Sequence, residues 1–152
     1  MKKDIGIGIL GLGTVGTGIA RLLTENADLI ARRLGATLTI KRAADLEIEK
    51  DRGVAFADGV LTTDPHAVIA DPEVDIVLEL IGGKELALEL IHAAIDQGKH
   101  VVTANKALLA EKGVALFQKA AAANVVIAFE PSVGGCMPIV KTVRESLVGN
   151  HI

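Results

Sequence analysis

Gly11-Leu12-Gly13-Thr14-Val15-Gly16 has the spacing G-x-G-x-x-G. Glycine at Gly11 permits a tight turn, at Gly13 it lets the backbone approach a pyrophosphate, and at Gly16 it lets a helix pack closely on a strand. The N–H groups that open the following helix, near Thr14 and Val15, would then face the phosphate anion. The pattern gains its weight from context, an apolar run before it and helical periodicity after it. Asp45 closes the next β-branched run. A carboxylate there can hydrogen-bond the adenosine ribose hydroxyls, or it can be a solvated turn residue. As a ribose ligand it would repel a 2′-phosphate, which leans toward NAD over NADP. Lys41 and Arg42 lie close enough in sequence to counter that lean. Lys106 follows Asn105, a residue suited to capping a helix. An ammonium can polarise a carbonyl and stabilise a developing alkoxide, although most lysines are merely solvated.

The elements that must hold these groups follow from periodicity. Ile5–Leu10 reads as a buried strand ending at the glycines. From Thr14 the apolar residues take helical spacing: Val15, Ile19, Leu22 and Leu23 share a face that Leu29, Ile30 and Leu34 extend, with Gly35 as the stop. One long helix is therefore expected, and it explains why Asp45 lies further from Gly16 than the usual ~20 residues. Thr37–Ala44 is a second strand. Residues 46–63 carry no clear pattern. Asp64-Pro65 suits a helix start, and Val74–Leu80 is a strand. Leu86–Ile95 is a helix closed by Gly98, and His100–Thr103 another strand. Helix follows around Ala107–Lys112, with Gly113 as a break, and resumes over Val114–Ala123 to Asn124. Val125–Phe129 is the last strand. A Gly134-Gly135 turn and a helix from Pro138 to about Leu147 complete the order. The β-α-β rhythm predicts an α/β fold, a Rossmann-type doubly wound, mainly parallel sheet with helices on both faces. Residues 1–152 read as one dinucleotide-binding domain, without repeat or linker.

Composition agrees. The chain has 152 residues, half of them apolar, with three Phe and no Trp or Tyr. A core of Val, Ile, Leu and Ala suits a parallel sheet covered on both faces, and it leaves no aromatic platform for stacking bases. A net charge of −3 with no basic tract gives no footprint for nucleic acid or an anionic membrane. The single cysteine, Cys136, has no disulfide partner in the chain. With no leader recognisable at Met1-Lys2-Lys3, a cytoplasmic home is expected. Cys136 reads as a small buried filler, and His66, His92, His100 and His151 show no metal-ligand spacing.

Three further segments carry a resemblance. Val74–Gly83 reads VDIVLELIGG, Val101–Ala110 reads VVTANKALLA, and Phe129–Ile139 reads FEPSVGGCMPI. With the glycine turn, in this order, they resemble the cofactor half of the homoserine dehydrogenase family, whose most specific segment is V-T-A-N-K. The resemblance implies reduction of L-aspartate 4-semialdehyde to L-homoserine with NAD(P)H, on the route to threonine, isoleucine and methionine. It implies that Lys106 lies beside the nicotinamide and the substrate as a catalytic group. It implies that Thr103, Ala104 and Asn105 line the nicotinamide side and that Ile81 and Gly82 lie near the cofactor. It further implies that Glu130, Val133, Gly135 and Met137 hold a monovalent cation, usually sodium, mostly through backbone carbonyls. Ala44 stands where many members carry an arginine, which supports NAD as the favoured cofactor. Pro131 and Cys136 replace smaller residues.

The family's substrate and dimerisation region, with its proton-donor lysine, has no counterpart in this sequence. The chain is therefore expected to be a piece that binds cofactor without turnover, and the longer enzyme a homo-oligomer acting on a small molecule. Two other readings share the glycine turn. One is the cofactor domain of another amino-acid-pathway dehydrogenase, the other a non-catalytic nucleotide-sensing module. Lys106 and the Glu130 loop favour an enzyme over a sensor.

Overall fold

The computed structural model describes residues 3–135 and 137–149. Cys136 and His151 lie outside the described residues. Six strands form a single sheet: β1 (Asp4–Leu10), β2 (Thr37–Ala44), β3 (Leu61–Thr62), β4 (Ile76–Glu79), β5 (His100–Thr103) and β6 (Ile127–Ala128). Their spatial order is β3-β2-β1-β4-β5-β6, and every pair is parallel. The expected doubly wound sheet is therefore present.

Residues alternate between the two faces. Ile7 and Ile9 of β1, Leu78 of β4 and Ala43 of β2 pack into one apolar cluster, with Leu12 and Ala20. Leu10, Val77 and Val101 point the other way, against Val68, Leu90, Ile95, Leu108 and Leu116. A strand buried on both faces needs aliphatic side chains at every position, which explains the composition. Each fully buried Leu or Ile stabilises by about 1.5–3 kcal/mol.

The helices are α1 (Thr14–Glu25), α2 (Ala27–Leu34), α3 (Pro65–Ala70), α4 (Glu85–Asp96), α5 (Lys106–Ala122), α6 (Glu130–Val133) and α7 (Ile139–Lys141), followed by a π-helical turn over Thr142–Ser146. The expected single helix over residues 14–34 is interrupted at Asn26, whose φ is −109° and ψ 18°. The Asn26 side chain donates to the Leu22 carbonyl at 3.2 Å, so it competes with the helix for a backbone acceptor. The buried face also differs from expectation. Gly16 and Ala20 meet the sheet, while Val15 and Leu22 are 56% and 53% exposed. Small residues bring α1 closer to the sheet than leucines would. In α2 no residue is buried.

Other boundaries follow local chemistry. Asp64 caps α3 by accepting from the His66 N–H at 2.8 Å, with Pro65 in the first turn. Gly35 and Asn124 take positive φ where stops were expected. β6 is shorter than the predicted Val125–Phe129: the Val126 N–H donates to the His100 imidazole at 3.1 Å, and Phe129 already caps α6. The segment after Pro138 is a short helix and a π turn rather than one helix. No helix among the described residues is long and apolar enough to cross a membrane.

Gly113 does not break α5, which runs unbroken from Lys106 to Ala122. A Cβ at this position would meet Phe117 at 3.5 Å and Leu109 at 3.8 Å, ordinary contact distances. Gly113→Ala is thus expected to stabilise the domain by about 0.5–1 kcal/mol through reduced backbone entropy. Urea unfolding followed by circular dichroism checks it; a loss of stability would contradict the continuous helix.

Candidate functional site

The connection after β1 leads to α1 on one face, and the connection after β4 leads to α4 on the other. β1 and β4 are neighbours. Such a reversal of strand order opens a crevice at the carboxyl ends of the strands, where open α/β sheets bind ligands. The glycine turn lies in this crevice. Gly11 has φ 96°, a conformation that favours glycine, and its N–H donates to the Ala44 carbonyl at 2.8 Å. Gly13 is the N-cap of α1 and supplies no side chain to cap it. The first main-chain bond of the helix runs from the Thr17 N–H to the Gly13 carbonyl. The N–H groups of Thr14, Val15 and Gly16 therefore have no acceptor inside the helix, and the positive end of its dipole faces the crevice.

Asp45 holds the turn in place. Its Oδ2 accepts from the Leu12 N–H at 2.7 Å, and its Oδ1 accepts from the Glu47 N–H at 2.9 Å and from Arg52 Nη2 at 2.7 Å. Arg52 Nε donates to the Leu12 carbonyl at 2.8 Å, and Nη1 donates to the carbonyls of Glu47 and Lys50. Burial pushes the Asp45 carboxyl up, but the Glu47 and Leu12 amides and the Arg52 charge outweigh it and hold the group below its ordinary value. Asp45 is thus more than a solvated turn residue. Sequence reading missed Arg52, which lies in the unpatterned stretch 46–63 and gives no periodic signal.

Two adjoining clefts occupy the crevice. One, of about 480 Å³, is lined by Gly11, Gly13, Asp45, Ile81, Gly82 and Leu86 among others. The other, of about 310 Å³, includes Val15, Glu79, Ile81, Ala104, Asn105 and Lys106. Ile81 and Gly82 border both. The structure thus gathers the glycine turn, Asp45, the end of β4 and the start of α5 around one continuous depression. Thr103 is buried beneath it. Asn105 caps α5 by accepting from the Leu108 N–H at 3.1 Å, and its Nδ2 donates to the Gly83 carbonyl at 2.6 Å. Lys106 is the first residue of α5 and is exposed; among the described residues its ammonium has no ion-pair partner. Lys84, in contrast, is paired with Glu111.

Glu79 was also missed. Its signal was an acid at the end of an otherwise apolar strand. The side chain is fully buried, with Oε2 accepting from the Thr103 hydroxyl at 2.6 Å and Oε1 from the Ile81 N–H at 2.9 Å.

Glu130, Val133, Gly135 and Met137 sit in and just after α6. The Glu130 carboxylate is occupied by the N–H groups of Val140 at 2.8 Å and Lys141 at 3.0 Å. The Val133 and Met137 side chains are exposed. Among the described residues no group of three or more His, Cys, Asp or Glu side chains could hold a metal. A cation in this segment would depend on main-chain oxygens.

The comparisons with known proteins agree with this geometry. The family model described as homoserine dehydrogenase, NAD binding domain, matches residues 11–130. The chain belongs to the homoserine dehydrogenase family. It is 46% identical over 150 residues to a homoserine dehydrogenase of Neisseria gonorrhoeae, covering 99% of this chain and 34% of that protein. Against the enzyme of Corynebacterium glutamicum the identity is 47% over 148 residues, covering 97% and 33%. A solved homoserine dehydrogenase from Thiobacillus denitrificans superposes with a TM-score of 0.89 at 49% identity, over 98% of this chain and 34% of that one. A hyperthermophilic archaeal homoserine dehydrogenase in complex with NADPH gives 0.77 at 26% identity, over 96% and 50%. The chain thus spans about a third of the length of the curated relatives it matches, and the part it matches is the family's NAD-binding domain.

A Cβ on Gly16 would stand 1.9 Å from the Gly11 carbonyl oxygen, so the turn and the helix would have to part. Gly16→Ala is expected to destabilise the domain by about 1–3 kcal/mol, as overpacking does. Chemical denaturation measures this, and an unchanged midpoint would refute the close packing.

Proposed function

We propose that this domain serves an enzyme that reduces L-aspartate 4-semialdehyde to L-homoserine with NAD(P)H. The observation that carries the proposal is that Val15, from the glycine turn, and Lys106, from the start of α5, line one cleft. Residues 1–152 form the cofactor domain in this reading, and the substrate region and the surfaces that make a homo-oligomer belong to the remainder of the enzyme. The N–H groups of Thr14–Gly16 hold the pyrophosphate, with Gly11, Leu12 and Gly13 giving the approach. Asp45 meets the adenosine ribose. Ile81, Gly82, Ala104 and Asn105 surround the nicotinamide, and Thr103, buried beneath them, supports that side from below. When bound, the dihydronicotinamide supplies hydride to the aldehyde carbon. Lys106 polarises the aldehyde oxygen and stabilises the charge that develops on it. A cytoplasmic setting suits a small-molecule reductase with one cysteine.

NAD(H) is the favoured cofactor in this reading. The basic groups near Asp45 in sequence are already engaged. Lys41 pairs with Asp4 and Glu73, toward the opposite end of the sheet, and Arg42 pairs with Asp71 and donates to the Gly59 carbonyl. Arg52 spends its donors on Asp45 and on main-chain oxygens. Ala44 brings no charge to the strand end.

The sodium assignment takes a narrower form. The Glu130 carboxylate is committed to Val140 and Lys141, so Glu130 would contribute its carbonyl, with those of Val133, Gly135 and Met137. Hard cations accept such oxygens. The carbonyls of Glu130 and Met137 each accept one N–H, from Gly134 and Ile139, and a carbonyl keeps a second lone pair.

Gly13 separates binding from folding, because a Cβ there meets nothing within 4 Å. Gly13→Val is expected to keep its circular dichroism and lose at least about tenfold in NADH affinity, the equivalent of one missing main-chain–phosphate contact. Titration by nicotinamide fluorescence, repeated with NADPH, tests both the grip and the preference. Unchanged affinity, or tighter binding of NADPH by the unaltered chain, would overturn the respective claim. In the full-length enzyme, Lys106→Ala is expected to lower kcat and kcat/KM together by about 10²-fold or more, the effect of removing one preorganised donor. Near-normal kcat would make Lys106 a solvated helix-start lysine.

A further inference from the structure

Glu79 ends β4 and has no solvent exposure. It joins two loops. Through Oε1 it holds the Ile81 N–H, and through Oε2 it holds the Thr103 hydroxyl at the end of β5. Thr103 Oγ1 itself accepts from the Asn105 N–H at 3.0 Å. Ser132 Oγ adds a bond to the Thr103 carbonyl at 2.8 Å. In this arrangement both carboxylate oxygens accept and neither donates, which suits the ionised acid. Burial pushes the carboxyl up, while the Thr103 and Ile81 bonds oppose that push. Among the described residues no basic side chain pairs with Glu79, which lies buried beneath the cleft whose rim carries Lys106.

A buried charge is expensive to hold without a partner. The arrangement makes sense if a positive charge visits the cleft. We infer that Glu79 is a positioning residue for the nicotinamide end of the cofactor, a buried anion that aligns the Ile81 and Thr103–Asn105 loops and selectively favours the cationic oxidised ring over the neutral reduced one. The inference rests on the reading that this cleft receives the nicotinamide. A merely structural acid would change the affinity for both redox forms equally. An electrostatic one changes their ratio. A unit charge about 10 Å away at an intermediate dielectric corresponds to about a tenfold change in that ratio.

The experiment measures dissociation constants of NAD+ and NADH by calorimetry on this chain, its Glu79→Gln variant and its Glu79→Met variant, with urea unfolding of each. Gln removes the charge and keeps the shape, but turns an amide N–H₂ toward a donor. Met removes the charge and leaves an apolar surface, which serves where Gln fails to fold. The expected result is a loss of NAD+ affinity about tenfold larger than the loss of NADH affinity, in whichever neutral variant folds. A folded neutral variant with an unchanged ratio overturns the inference and leaves the cofactor assignment standing. Failure of both variants to fold, even with saturating NADH, makes Glu79 purely structural and also overturns it. Absence of NAD+ and NADH binding by the unaltered chain overturns the cofactor assignment, and this inference with it.

Discussion

At Gly16 the chain lacks a methyl group that would sit 1.9 Å from the Gly11 carbonyl oxygen, and the crevice is built on that close approach. α1 can start directly behind β1 only because helix and turn touch backbone to backbone. The same tightness lets the Gly11 N–H reach the Ala44 carbonyl and the Leu80 N–H reach the Leu10 carbonyl. Three strand ends are thereby tied at the point where the chain direction reverses. The start of α1 is left with N–H groups aimed outward. A bulkier residue at Gly16 would push the helix away, and with it the N–H groups it aims into the crevice.

Acidic side chains do the second part of the alignment, and they do it chiefly by receiving main-chain N–H groups. Asp45 takes those of Leu12 and Glu47, Asp71 that of Glu73, Asp75 that of Gly6, and Glu79 that of Ile81. A carboxylate accepts at both oxygens, so one residue can pin two segments. Asp45 pins the glycine turn to the end of β2, and Glu79 pins the loops after β4 and β5. Arg52 completes the first junction by holding Asp45 and the Leu12 carbonyl together. The crevice end of the sheet is thus held by the protein's own bonds, a preorganisation that would reduce the ordering a ligand demands.

The strands, their parallel arrangement and the glycine turn were legible because each rests on a local rule: aliphatic runs, glycine spacing, a Pro after Asp64. Sequence also singled out Asp45 and Lys106, which the structure places at the crevice. What it missed depends on contacts between distant residues. Asn26 looks like a tolerable residue in a helical run, and only its bond to Leu22 marks the interruption. Gly113 looks like a break, yet the helix runs through it to Ala122. Periodicity put Val15 and Leu22 against the sheet, whereas the demand for close approach rotates α1 onto Gly16 and Ala20. Val15 is thereby released to line the cleft. Arg52 and Glu79 act on groups 40 and 24 residues away, and no spacing rule reaches that far.

The two acids at the crevice respond to acid in opposite senses. Asp45 has a lowered carboxyl pKa in the fold. Its stabilising contribution is complete above the unfolded value of about 3.9 and disappears as the pH falls through the folded value. Glu79 has a raised one. Its ionised form is disfavoured in the fold, so its unfavourable contribution is present at high pH and is relieved as the pH falls through the raised value. The junction at β2 is thus built to favour its charge. The junction between β4 and β5 is built against its charge. An acid of the second kind costs the empty domain stability when ionised, and perturbed groups in clefts tend to mark function.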